Sequence, residues 1–261
     1  MKNNQLINTI ELGWRLARRD FAAMYRLSYL GYFWGVAQPL ITALIFILLR
    51  KADIMKVPDM DLTYSTFVLT GTVFWQLFVD AINAPINQID INKAALSKVN
   101  FNRAALIYSA LFNCLINFFL KFIPVIGILF FLPDKFWIGS VLVFFPIISI
   151  LLFATTIGVY LLPISILFED VRRIISAALA PLIFLTPVLY PTPTSGLLSI
   201  IIKWNPLSPL ISSCRELLFG FEGYNSIEET IVITIVTVFL FFPALKIYLN
   251  AMPILIERME N

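Results

Sequence analysis

The chain has 261 residues, of which 59% are hydrophobic and only 13% are charged, with a net charge of +3 and a mean hydropathy of +0.87. A soluble domain carries about 25% charged residues, so this composition excludes a water-exposed globule and indicates an integral membrane protein. There is no histidine, which excludes histidine acid–base catalysis and histidine metal ligation. The two cysteines, Cys114 and Cys214, show no paired metal-binding spacing. We therefore expect neither a catalytic residue nor a metal site in this chain.

The first predicted element is an amphipathic helix within residues 1–31. Its apolar residues recur at steps of three and four, as in Leu6, Ile10, Trp14, Ala17 and Phe21, and basic residues occupy the other faces. This pattern is typical of a helix that lies in the membrane interface. We interpret it as a surface anchor, with contact to a soluble partner as the alternative.

Six long apolar segments follow within residues 32–190 and 223–261, most of them close to or above the roughly 20 residues that cross a membrane. The predicted spans are residues 33–49, 64–84, 104–132, 137–168, 174–190 and 227–248. The sequence therefore predicts an all-α integral membrane protein with six transmembrane helices, ending in a tail after the last span.

Residues 191–222 interrupt this series. The stretches 197–202 and 207–219 are apolar but too short to span, and prolines surround them. Short segments of this kind indicate a re-entrant helical hairpin on the outer side, between the fifth and sixth spans.

The distribution of Lys and Arg predicts the orientation. With both termini in the cytoplasm, twelve of the nineteen Lys and Arg residues fall on the inner side and six on the outer side, where Arg215 is counted. The positive-inside rule favours this topology.

Two ionisable residues fall inside predicted spans, where a charge is costly and marks a candidate functional residue. Asp80 lies sixteen residues into a descending span, about 24 Å along it and near the inner interface. Lys121 lies about 25 Å up the next span, in the outer half. We therefore expect that the two are not partners. Lys121 either lines a pathway or extends to the outer headgroups.

Four stretches together resemble the membrane subunit of the ABC-2 type polysaccharide exporters, the family that exports O-antigens, capsular glycans and teichoic acids. They are RRDFAAMYRLSYLGYFWGVAQPL at 18–40, LSKVNFNRAALI at 96–107, FEDVRRI at 168–174 with FLTPVLYP at 184–191, and NPLSPLISSCRELLFG at 205–220. The resemblance covers nearly the whole chain in the expected order, as one ABC-2 type transmembrane domain over residues 1–261.

The resemblance implies a permease that exports a lipid-linked polysaccharide across the bacterial inner membrane, as a homodimer with two copies of a separate ABC ATPase subunit. No glycine–lysine phosphate loop occurs in the sequence, so we expect that this chain is not an enzyme and binds no cofactor, and that ATP and Mg²⁺ bind to the partner. We expect no nucleic-acid partner.

The resemblance also implies which residues transmit force from the ATPase. In the family the loop between spans two and three is the main coupling element, and the charged turn after span four is a second candidate. Together these give Lys93, Lys98, Phe101, Arg103, Glu169, Asp170, Arg172 and Arg173. The alternative for each charge is a solvated anchor that follows the positive-inside rule.

A lipid-linked glycan carries phosphate at the inner headgroup level, and guanidinium groups bind phosphate oxygens in a bidentate manner. Arg18, Arg19 and Arg26 are therefore candidates for lipid-phosphate recognition, with attraction to anionic phospholipids as the alternative. Because the family places the first and fifth spans along the dimer axis, the candidate translocation pathway comprises Tyr32, Phe33, Trp34, Phe184 and Tyr190, together with Lys121. An interfacial aromatic belt is the alternative for these aromatics.

Competing functions fit the sequence less well. An ABC-2 type exporter of a small hydrophobic drug or lipid would share the architecture, although the Leu-Gly, Lys-Val and Asn-Pro segments resemble the glycan branch. An integral membrane transferase would need acidic or metal-binding clusters. Glu169-Asp170 is an adjacent acidic pair near the predicted cytoplasmic face, but Arg172 and Arg173 flank it, which argues against a transferase. The sequence does not identify the glycan.

Overall fold

The computed structural model describes residues 2–24, 33–55, 60, 62–98, 101–193, 195–220 and 226–260. Within these ranges the regular structure is helical throughout, with nine α-helices and two short 3-10 segments. The α-helices are α1 (Lys2–Met24), α2 (Phe33–Lys51), α3 (Tyr64–Lys98), α4 (Ala104–Leu129), α5 (Phe144–Leu167), α6 (Glu169–Leu182), α7 (Leu197–Trp204), α8 (Leu207–Phe219) and α9 (Ser226–Glu260). The all-helical prediction is confirmed.

Five stretches are long and apolar enough to cross a membrane. They are Phe33–Lys51, Tyr64–Lys93, Ala104–Leu129, Ser140–Leu167 and Ser226–Glu257. A multi-pass membrane protein is therefore supported, with spans at five of the six predicted positions.

The fifth predicted span, at residues 174–190, is not among them. Its region consists of the 14-residue helix α6, a 3-10 turn at Ile183–Leu185 and irregular backbone beyond it. Fourteen helical residues extend about 21 Å, which is less than the roughly 30 Å of a hydrocarbon core. Pro181 lies in the last turn of α6 and Pro187 in the irregular backbone after it, and neither provides a backbone N–H for a helical hydrogen bond.

Helices α7 and α8 match the two short apolar segments predicted between the last spans. Asn205 separates them, and its side-chain oxygen accepts a hydrogen bond from the Leu207 N–H at 3.0 Å, which supports the first turn of α8. Most of α8 is buried. Re-entry of this pair into the membrane stays a prediction.

Helix α1 packs against α4. Its buried face consists of the small or polar residues Thr9, Gly13, Ala17 and Asp20. A side chain at Gly13 would collide with Tyr108, at 2.6 Å, so glycine permits the close approach. The buried face shares Ala17 with the predicted apolar stripe, whereas Trp14 on that stripe is half exposed.

Helix α3 forms the centre of the molecule, and most of its apolar part is buried. Its Phe74 stacks on Phe118 of α4, with ring centroids 6.1 Å apart, and its Phe78 stacks on Phe153 of α5 at 6.2 Å. The core therefore lies between α3, α4 and α5.

Candidate functional site

The two segments predicted to couple the chain to an ATPase are in direct contact. Arg172 of α6 forms a bidentate ion pair with Asp90 of α3, and its Nη2 lies 3.0 Å from the Asp90 Oδ1. The Arg172 Nε also donates to the Ser165 carbonyl at 3.2 Å. This ion pair joins the charged turn to the end of α3 that leads into the predicted coupling loop.

Helix α1 is attached to the same end of α3. The Arg19 guanidinium donates to the Asp20 carboxylate at 2.6 and 2.8 Å and also to the Asn92 side-chain oxygen. Asp90 and Asn92 stand two residues apart on α3, so their side chains point to different faces of the helix. One stretch of α3 is thus held by α6 on one face and by α1 on another.

Asn102 makes a second connection to α1. Its side-chain nitrogen donates to the Thr9 hydroxyl at 2.9 Å, while its side-chain oxygen accepts from the Ala104 N–H at 3.1 Å. The residue therefore fixes the start of α4 and links it to α1. We call Arg19, Asp90, Asn92, Asn102 and Arg172 the inner cluster, after the cytoplasmic side that the sequence predicts for this end of α3.

The other predicted coupling residues surround the inner cluster without joining it. Lys93 and Glu169 are exposed. Asp170 and Arg173 are also exposed, and their charged atoms approach to 3.9 Å. Phe101 packs against the core.

Arg103 and Lys98 of the predicted loop lie at the junction between α3 and α4. The Arg103 carbonyl accepts a hydrogen bond from the Tyr248 hydroxyl of α9 at 2.9 Å, so the backbone at the start of α4 is fixed to the last long helix. Lys98 ends α3, and its side chain lies outside the described residues.

The three arginines predicted to bind lipid phosphate differ in their surroundings. Arg18 is exposed and forms no hydrogen bond or ion pair within the described residues. Arg19 is engaged by Asp20 and Asn92. Arg26 lies outside the described residues. Arg18 is therefore the candidate with a free guanidinium in the described part of α1.

The prediction that Asp80 and Lys121 are not partners is wrong. The Lys121 Nζ lies 2.5 Å from the Asp80 Oδ2, and Gln76 donates to the Asp80 Oδ1 at 2.8 Å. The predicted depth of Asp80 assumed a span that ends at residue 84, but α3 continues to Lys98. Asp80 therefore stands 18 residues before the end of α3, and Lys121 stands 17 residues after the start of the antiparallel α4. The two side chains consequently lie at the same level.

This pairing also determines the surroundings of Lys121. Its side chain is 13% exposed, and its Cε lies 3.6 Å from where a Cβ would stand on Gly35, in the first turn of α2. Lys121 therefore lies against protein, beside the start of α2, and does not extend to outer headgroups.

The predicted pathway aromatics form two separate groups. Phe33 and Trp34 are both exposed in the first turn of α2 and form an edge contact, with centroids 6.5 Å apart. Phe184 contacts Phe46 of α2 at 6.3 Å, and the Tyr190 hydroxyl donates to the Phe184 carbonyl. Phe33 and Phe46 stand thirteen residues apart, or about 20 Å along α2. Tyr32 lies outside the described residues.

Sequence reasoning missed Arg215 of α8. The sequence places it among the outer charges, but it is 2% exposed and its guanidinium contacts backbone carbonyls of α3 and of the segment after α6. The signal that could have found it is the one that selected Asp80 and Lys121, namely a charge within an apolar segment.

No metal-binding group of three or more His, Cys, Asp or Glu residues is present in the described part of the chain. Cys114 and Cys214 are both free and buried.

Comparison with known proteins gives three similar sequences, all described as O-antigen export system permease protein RfbA. One from Klebsiella pneumoniae is 28% identical over 241 residues, which cover 87% of this chain and 89% of the relative. A second from the same organism is 28% identical over 224 residues, which cover 82% of each chain. One from Myxococcus xanthus is 26% identical over 239 residues and 89% of each chain.

No family model matches the chain. The similarity to the three permeases nevertheless extends over most of the helical scaffold described above. The resemblance that the sequence predicts is therefore confirmed, and the chain is a relative of the permease proteins of O-antigen export systems.

Proposed function

We propose that this chain is the permease subunit of an ATP-driven exporter that moves a lipid-linked polysaccharide across the bacterial inner membrane. The observation that carries the proposal is the similarity to O-antigen export permeases over more than four fifths of the chain. The helical scaffold with five candidate spans supports it. Both termini lie in the cytoplasm in this proposal.

The energy for export comes from two copies of a separate ABC ATPase, which bind ATP and Mg²⁺, while two copies of this chain form the translocation unit. The inner cluster supports an attachment point for the ATPase, because it connects α1, α3, α4 and α6 through polar contacts. Exposed charges at Lys93, Glu169, Asp170 and Arg173 surround it. A displacement of one of these helices by the ATPase is transmitted to the others through the contacts of the inner cluster.

The substrate enters at the inner headgroup level. The exposed guanidinium of Arg18 is free to bind the lipid phosphate, whereas Arg19 is already engaged by Asp20 and Asn92. Sugar rings present flat apolar faces that pack on aromatic side chains. We assign that role to the group at Phe33 and Trp34 and to the group at Phe184 and Tyr190.

A cell-based experiment tests this proposal. Cells that lack the gene should accumulate lipid-linked glycan on the cytoplasmic side, and the intact gene should restore export to the surface. The purified chain should show no ATP hydrolysis alone, while a complex isolated from the same cells should contain an ATPase subunit and hydrolyse ATP.

A matched control for this experiment is an ATPase variant that does not hydrolyse ATP. It should reproduce the accumulation seen in the deletion strain, because both changes stop the same transport step. Normal surface glycan in the deletion strain, or hydrolysis by the purified chain alone, would contradict the proposal.

A further inference from the structure

The side chain of Arg215 is buried without a carboxylate partner. It is 2% exposed and forms no ion pair within the described part of the chain. The neighbouring carboxylate, Glu216, instead accepts a hydrogen bond from the Ser226 hydroxyl. A guanidinium in such surroundings is stable only when polar groups take the place of water around it.

Neutral acceptors surround the Arg215 guanidinium. Its Nη1 donates to the Pro187 carbonyl at 2.6 Å, and its Nη2 donates to the Val188 and Phe67 carbonyls, both at 3.0 Å. The Phe67 ring also lies under the guanidinium carbon at 3.7 Å, a distance that allows a cation–π contact. Three segments of the chain, α3, α8 and residues 187–188, therefore meet at one side chain.

Arg215 belongs to a larger pattern in which side chains bind the carbonyls of residues 185–189. Asn205 donates to the Leu185 carbonyl at 2.9 Å, and the Tyr64 hydroxyl donates to the Leu189 carbonyl at 3.1 Å. Non-helical backbone at membrane depth is tolerated only where its polar groups find partners within the protein. Arg215 supplies two of the four carbonyls with a donor.

The segment that Arg215 holds carries a pair of predicted pathway aromatics. Phe184 precedes the four bonded carbonyls and Tyr190 follows them, and the Tyr190 hydroxyl returns to the Phe184 carbonyl. We call residues 184–190 the aromatic turn. Phe184 and Tyr190 therefore flank the carbonyls that Arg215 binds.

We infer that Arg215 is a positioning residue that holds the aromatic turn against α3, and that it acts on transport through Phe184 and Tyr190. The second half of this inference rests on the proposed export function, whereas the first half does not. Gly71 supports the geometry, because a Cβ there would overlap the Arg215 guanidinium and the Val188 carbonyl. Both groups thus occupy the space beside Gly71.

Cysteine labelling tests the first half without any substrate. Cys114 and Cys214 are replaced by Ala, and a single cysteine is placed at Val188, which is 0% exposed on the aromatic turn. Arg215→Met removes all five donors at similar volume. The Val188→Cys thiol should then react with a maleimide at least about tenfold faster, because hydrogen bonds to a charged group are lost.

The matched control is a cysteine at Val159, which is also 0% exposed but lies on α5. Its labelling rate should not change in Arg215→Met if only the aromatic turn is released. Equal acceleration at both positions would show general loss of folding, and unchanged rates at both would show that Arg215 does not hold the turn. Either result overturns the inference.

Arg215→Lys provides a second variant if the Met variant does not insert. An ammonium group keeps the charge but cannot reach three carbonyls with the geometry of a guanidinium. The labelling rate at Val188→Cys should therefore lie between the rate with Arg215 and the rate with Arg215→Met. Export per inserted molecule should fall in the same order, from Arg to Lys to Met.

The two measurements separate the two hypotheses. Faster labelling together with unchanged export in Arg215→Met would overturn the role of the aromatic turn in transport and leave the proposed export function intact. Absence of export by the unmodified chain, in contrast, would contradict the proposed function whatever the labelling shows.

Discussion

Two arginines that connect helices have different partners and different exposure. Arg215 is 2% exposed and is surrounded by carbonyls, which have no net charge. The side chain of Arg172 in the inner cluster is 35% exposed and pairs with the Asp90 carboxylate, which is 44% exposed. A half-exposed ion pair is weak because water and salt compete with it, whereas a buried polar group that loses its partner is costly.

This difference indicates which contacts of the molecule can open at small cost in free energy. The contacts of Arg215 are broken only at a large cost in free energy, so the aromatic turn keeps its position. The contact between Arg172 and Asp90 can open and close at small cost. We therefore expect movement at the inner cluster and a fixed arrangement at the aromatic turn.

The largest expected effect concerns the ion pair between α3 and α4. Asp80→Asn leaves the Lys121 ammonium, which is 13% exposed, without its carboxylate. The free energy of unfolding should fall by about 3 kcal/mol, because a mostly buried charge loses its partner. Denaturant titration of the protein in detergent measures this loss.

Two variants complete that test. Asp53→Asn is the control, since Asp53 is exposed and has a φ of 55°, which Asn tolerates; it should change stability by less than about 0.5 kcal/mol. Asp80→Leu combined with Lys121→Met should recover most of the loss. An Asp80→Asn protein as stable as the control would show that the pair does not tie α3 to α4.

The second effect concerns the space beside Arg215. Gly71→Ala places a methyl group against the guanidinium and the Val188 carbonyl, so we expect a loss of about 1–3 kcal/mol from overpacking. Thermal unfolding in detergent measures it. Gly127→Ala is the matched control, because no heavy atom lies within 4 Å of its new Cβ, and alanine there should be neutral or stabilising by up to about 1 kcal/mol. A loss of stability in Gly127→Ala together with unchanged stability in Gly71→Ala would contradict the expectation that the space beside Gly71 is filled.

The smallest effect concerns the inner cluster. A double-mutant cycle with Asp90→Asn and Arg172→Gln should give a coupling energy of about 0.2–1 kcal/mol that decreases as salt is added. The same cycle on Asp170 and Arg173, whose charged atoms are 3.9 Å apart and highly exposed, should give a value near zero. A coupling energy above about 2 kcal/mol at Asp90 and Arg172 would contradict the expectation that this ion pair is weaker than the contacts of Arg215.

The sequence predicts helices well where apolar runs end at clear signals. Helix α8 begins and ends at the predicted residues 207 and 219, because Asn205-Pro206 precedes it and Gly220, with a φ of 69°, follows it. The inner half of α3 was missed, since Pro85 and the polar residues after it resemble a loop. The helix continues because that half packs against α5 and is held by α1 and α6.

The candidate site was predicted in part. The two coupling segments could be chosen from the sequence, but their contact through Asp90 could not, because the partners stand 82 residues apart. Arg215 was missed for a different reason. Its acceptors are mainly backbone carbonyls, which every residue possesses and which leave no pattern in the sequence.

Pro85 lies within α3, between its two ends, and is the position at which the helix can bend. The proline has no N–H for the Ala81 carbonyl, and α5 contributes Gly158 beside it, where a Cβ would overlap the Ile82 carbonyl. Thirteen residues, about 20 Å of helix, extend from Pro85 to Lys98, so a bend of about 10° at the proline would move that end by about 3.5 Å. At Asp90 and Asn92, which follow Pro85 by five and seven residues, the same bend would move the backbone by about 1.3 and 1.8 Å. A bend at Pro85 would therefore displace the end of α3 further than the residues that contact α1 and α6.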